Sequence, residues 1–110
     1  MNGLTHEEYV YNTRQDIVTI AQNIIKKNIN IIDGCIKINA LWDEAELPHD
    51  DSYYLFVLID SDTDTFPRGY LREICSEEYL KEQDEEEKNY LKAFEKDIDE
   101  ECQKLIKEYG

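Results

Sequence analysis

The sequence predicts an α+β fold: three main helices packed around or beside one short antiparallel β-hairpin, mostly helical, in a single domain over residues 1–110. Two observations carry that expectation. Apolar residues recur at helical spacing in three separate stretches, and one seven-residue run, Tyr53-Tyr54-Leu55-Phe56-Val57-Leu58-Ile59, combines aromatic and branched side chains at the length of a strand. At 110 residues the chain is long enough to remove roughly two-thirds of its unfolded surface from water. Its 41% hydrophobic content separates it from disordered acidic tails.

Thr5-His6-Glu7-Glu8 has the pattern of a capping box, in which a hydroxyl and a carboxylate three residues later satisfy free N–H groups at a helix start. Val10, Ile17, Ile20, Ala21, Ile24 and Ile25 then mark a first helix over residues 5–28, with Lys26 and Lys27 near its negative end. Asn28-Ile29-Asn30 supplies a turn, and Asn30 with Asp33 caps a second helix. There Ile31, Ile32, Cys35, Ile36, Ile38, Leu41 and Trp42 cover more than half of the circumference, the signature of burial on two sides. Gly34 lies inside this segment, either tolerated or admitting a neighbour's close approach. After the break at Leu47-Pro48-His49-Asp50-Asp51, residues 53–59 read as a strand. Gly69-Tyr70-Leu71-Arg72-Glu73-Ile74 is its pairing partner, across a loop over residues 60–68. Ser76 caps the last helix, and Leu91, Phe94, Ile98, Cys102, Leu105 and Tyr109 form its apolar stripe. No apolar residue occurs in residues 81–89. An unbroken helix over 76–109 would be about 50 Å long, against a globule of ~35 Å. It must bend or project.

Charge narrows the function classes. The net charge is −14, and residues 51–110 hold 18 acids against 8 bases, so −10 of it lies there. Phosphates repel such a chain, which argues against nucleic acid as a direct ligand, whereas a basic protein would be drawn to it. The longest apolar stretch is far short of the ~20 residues of a membrane helix. The first eight residues lack the basic and apolar regions of a signal peptide, so the expected compartment is the cytosol. Cys35, Cys75 and Cys102 are too few and too scattered for a disulfide framework or a zinc site and read as core-filling thiols. His6 and His49 read as surface residues. No metal, cofactor or enzymatic activity is expected.

One motif is sharp. Asp60-Ser61-Asp62-Thr63-Asp64-Thr65 follows the apolar run, and three readings compete. A phosphatase-like Asp-x-Asp site at a strand end would use one aspartate as nucleophile, but the fifth position is Asp64 in place of threonine. A calcium loop would take Asp60, Asp62 and Asp64 as ligands, but Thr65 stands where glycine is needed and Leu71 where glutamate is needed. The preferred account is structural: side chains cap their own turn, Phe66-Pro67 pins the exit, and the loop displays charge. The run Asp84 to Glu87 adds a second acidic patch, flanked by ordinary i,i+4 pairs such as Asp84–Lys88. Asp60, Asp62, Asp64, Asp84, Glu85 and Glu86 are therefore the candidate partner-binding residues, with tyrosines and Trp42 as possible apolar anchors.

Ile31-Ile32-Asp33-Gly34-Cys35, the run ending Ile59-Asp60-Ser61-Asp62-Thr63-Asp64, Pro67-Arg68-Gly69 and the long acidic helix together resemble a family of small uncharacterised acidic bacterial proteins. By type, in size and acidity, the chain also resembles immunity proteins of contact-dependent growth inhibition and related toxin systems. That likeness implies binding and neutralising a basic toxin domain, a nuclease above all, by occluding the cationic site that holds its substrate. The alternative is a nucleic-acid mimic or regulatory adaptor for another basic protein. A small hydrolase or metal-binding protein built on the Asp60 segment is the third class.

Overall fold

The computed structural model describes residues 5–110 and contains five helices and no strand among them: α1 His6–Ile25, α2 Ile31–Leu41, α3 Asp51–Asp62, α4 Tyr70–Ile74 and α5 Glu77–Tyr109. The fold is all-α, and the expected hairpin is absent. Its first strand is α3 and its second is α4. Residues 1–4, on which the expectation of no signal peptide partly rests, lie outside the described residues.

The reason for the correction is local. A short run apolar on every side fits a helix as well as a strand, and the flanking residues decide. The Asp50 carboxylate accepts the Tyr53 N–H at 3.3 Å, and Asp51 stands in the first turn, both helix-starting features. Ser52, Phe56 and Ile59 are then the buried positions, at spacings of four and three. Three of the other helix starts follow the sequence: Thr5, Asn30 and Ser76 accept from the N–H groups of Glu8, Asp33 and Tyr79.

Contacts along the helices give their directions. Gln15 donates to the Tyr109 carbonyl and Lys27 pairs with Glu95, so α1 and α5 run antiparallel. Ser52 donates to Glu101 and Tyr90 to Asp62, so α3 and α5 do too. Asn39 reaches Asp60, and Trp42 lies against Tyr53 and Phe56, which sets α2 against α3 in the same sense. With Ile24 on Gly34 and Arg14 on Ala45, α1 and α2 complete an up-down-up-down four-helix bundle. The core joins Ile17, Ala21 and Ile24 of α1, Cys35 and Ile38 of α2, Phe56 and Ile59 of α3, and Ile98, Cys102 and Leu105 of α5. Trp42, Ala45 and Leu47 close it at one end.

Gly34 is a close-packing position. A Cβ there would stand 2.6 Å from Ile24 Cγ1 and 3.0 Å from Ile29 Cδ1. Ile24 is fully buried, so it has no room to retreat. Gly→Ala inside a helix ordinarily stabilises by up to ~1 kcal/mol. Here Gly34→Ala should instead destabilise by about 1–2 kcal/mol, because overpacking dominates; urea denaturation measures it, and a stabilised variant would contradict the packing.

The last helix is unbroken. Its 33 residues correspond to about 50 Å, and the longest dimension of the molecule is 50 Å. Lys27, just past α1, pairs with Glu95, and Asp62 at the end of α3 meets Tyr90, so residues 77–89 run beyond the ends of both helices by some 20 Å. This extension raises the radius of gyration to 15.6 Å, above the ~13 Å of a compact chain of this length.

Candidate functional site

Everything between the end of α3 and the middle of α5 forms one acidic structure at the projecting end. Thr63 ends α3 with its Oγ1 donating to the Ile59 carbonyl at 2.6 Å. Phe66 and Pro67 are buried, with the Phe66 ring edge-on to Tyr90 at 6.3 Å. The chain then lays Arg68 between two helices: its guanidinium pairs with Asp33 of α2 and Glu87 of α5, both at 2.7 Å. Gly69 has φ 52° and ψ −125°, the first central position of a type II′ turn, which favours glycine for its backbone alone because a Cβ there would meet open space. From there α4 leans on α5 through Arg72, whose two terminal nitrogens meet both oxygens of Asp84 at 2.9 Å.

The six candidate acids fall into two groups. Asp60 and Asp62 belong to the last turn of α3, not to a loop leaving a strand, and both are engaged internally. Asp60 accepts from Asn39 Nδ2 at 2.7 Å and Asp62 from the Tyr90 hydroxyl at 2.9 Å. Asp84 is held by Arg72. That hydrogen bond keeps its carboxyl below the usual range, so the pair's contribution is present above that range and fades only as pH falls through the lowered value. Asp64, Glu85 and Glu86 are exposed and have no ion-pair or hydrogen-bond partner among the described residues. These three are the acids left for a partner.

A strand-end nucleophile at Asp60 has no strand to stand on. A calcium loop has no loop, since Asp60 and Asp62 are helical and face Asn39 and Tyr90. Among the described residues no group of three or more His, Cys, Asp or Glu side chains is placed to hold a metal ion. Cys35 and Cys102 are buried and their thiols are pushed up to about 12 by desolvation; Cys75 is half-buried. Opposite the arm, a cleft of about 540 Å³ is lined by Trp42, Pro48, Ser52, Lys104 and Tyr109.

Sequence reasoning missed the face that α4 presents. Around this helix Tyr70, Leu71 and Ile74 share an arc of roughly 100°, and Arg72 points the other way. Arg72 is turned onto α5, so the apolar side faces out: Tyr70 is 71% and Ile74 64% exposed, and no residue of α4 is buried. The spacing 70, 71, 74 was the available signal. Beyond Arg72, the helix of the arm has weak support, because residues 81–86 bring no apolar side chain to the bundle. Their amides should exchange with deuterium at least ~100-fold faster than those around Ile98, and equal protection would mean that something covers the arm.

Fold and site together define an acidic four-helix bundle with a projecting, charge-bearing arm. The chain belongs to the family described as "Protein of unknown function (DUF2489)", which matches residues 4–105 and so takes in the bundle and the arm. No curated protein and no solved structure matches it. No described helix is long and apolar enough to cross a membrane.

Proposed function

We propose that this protein is a binding protein that captures a basic protein, and that it acts as an immunity protein neutralising a toxin domain, a nuclease in particular. One observation carries the reading: the arm concentrates eight acids against three bases over residues 70–89 and sets exposed apolar side chains among them. Carboxylates alone are the ordinary dress of a soluble helix. Carboxylates around exposed tyrosine, leucine and isoleucine have the make-up of an interface, with anchors inside a polar rim. Occlusion is the mechanism. The arm would lie where the toxin's cationic groups hold substrate phosphates, with no chemistry required of this chain.

The test uses a purified basic nuclease domain of a toxin as the partner. Association should be fast at low salt and fall steeply as salt screens the encounter. Glu85→Lys with Glu86→Lys should slow it by about tenfold or more, and Asp64→Lys by less. Asp60→Lys and Asp62→Lys should instead lower stability, since both carboxylates have internal partners. Rates indifferent to salt and to all these reversals would sink the electrostatic account.

A further inference from the structure

We propose that the outward face of α4 is the apolar anchor of a docking surface, and that its occupant is a basic amphipathic helix carrying leucine-like side chains between lysines or arginines. This deepens the binding reading and rests on it. Short helices in folded proteins put their apolar arc inward; α4 does the reverse. Its polar residue Arg72 is spent on Asp84 and its apolar arc, Tyr70, Leu71 and Ile74, is left in water. Tyr79 in the first turn of α5 is exposed as well. Two restraints hold this arrangement in place: the type II′ turn at Gly69 and the paired guanidinium groups of Arg68 and Arg72. The face is displayed by a fixed backbone, which lowers the ordering that binding requires.

Charge selects the occupant. Glu73 lies on α4 itself and Glu77 and Glu78 follow within a turn at the start of α5; all three are exposed and none has an ion-pair partner among the described residues. A second copy would bring the same glutamates and another −14 charges against them. A neutral apolar partner would leave the rim carboxylates to be desolvated without compensation. An amphipathic helix with a basic flank satisfies both parts, laying its apolar residues on Leu71 and Ile74 and its cations on the rim.

Two synthetic peptides provide the probe: a lysine–leucine peptide with leucines at i, i+3, i+4 and i+7, and the same peptide with serine at each leucine. Wild-type protein should bind the leucine peptide at least ~10-fold more tightly at low salt. Leu71→Ser with Ile74→Ser should cut that preference below ~3-fold, leave affinity for the serine peptide unchanged, and leave thermal unfolding unchanged because neither residue is buried. Tyr70→Ser should act in the same direction. A preference that survives these substitutions overturns the anchor, as does equal binding of the two peptides, while the charge reading stands. Failure of both peptides to bind overturns the two together. Sedimentation that shows a wild-type dimer, lost in the double variant, would assign the face to a second copy and end the proposal.

Discussion

Replacing Trp42 by alanine should remove a large share of the stability of this protein. The indole is 1% exposed, lies 5.7 and 5.8 Å from the Tyr53 and Phe56 rings, and donates Nε1–H to the Pro48 carbonyl at 3.0 Å. It is where the α2–α3 turn is sealed against the core. Large aromatic truncations in cores cost about 3–5 kcal/mol, from a total that is typically only ~5–15. Trp42→Phe keeps a ring but leaves the Pro48 carbonyl without its donor, which should cost about 1–2 kcal/mol. Urea denaturation followed by circular dichroism reads both. A loss below ~1 kcal/mol in Trp42→Ala would mean that the ring does not hold the turn.

The second large effect is alkaline. Burial raises the Cys35 and Cys102 thiols from 9.0 to about 12, whereas the unfolded chain ionises them at the ordinary value. A group whose folded pKa is raised contributes stability below its unfolded pKa and loses it as pH rises through the folded one. Between pH 9 and 12 each thiol should therefore remove about 1 kcal/mol per pH unit, and the two act together. Tyr90, also raised by burial and by its bond to Asp62, pushes in the same direction. The urea midpoint should fall steeply above pH 9, and Cys35→Ala with Cys102→Ala should flatten that slope even while weakening the core. A slope unchanged in the double variant would show that the thiols ionise freely in the folded state.

How far the sequence could be read depended on the range of the interactions. Thr5, Asn30 and Ser76 were legible because a cap involves a side chain and an N–H three residues away. The stripe of Ile98, Cys102 and Leu105 was legible because its period is long and regular. Residues 53–59 were misread as a strand because seven consecutive apolar residues carry no period at all; Asp50, their cap, held the information. That single error placed Asp60 and Asp62 in a loop instead of a helix and hid α4 inside a supposed partner strand. The acids were visible by composition, but their partners were not. Asn39 lies 21 residues from Asp60, and Tyr90 lies 28 from Asp62. No local pattern reports contacts at that separation, so the sequence could not distinguish an occupied carboxylate from a free one. The Arg68 bridge to Asp33 and Glu87 was hidden for the same reason.

The projecting end of α5 has an evolutionary consequence. Charges more than ~8 Å apart are largely screened from each other at physiological salt, so carboxylates on the outer turns of the arm hardly feel those on the bundle. Substitutions in residues 77–86, apart from Asp84 with its Arg72 pair, thus leave the core almost untouched, and few surface changes of this kind move stability by more than ~0.5 kcal/mol. A lineage could rewrite this segment repeatedly while inheriting the bundle intact, surface chemistry and foldability drifting as nearly separate traits along one continuous rod.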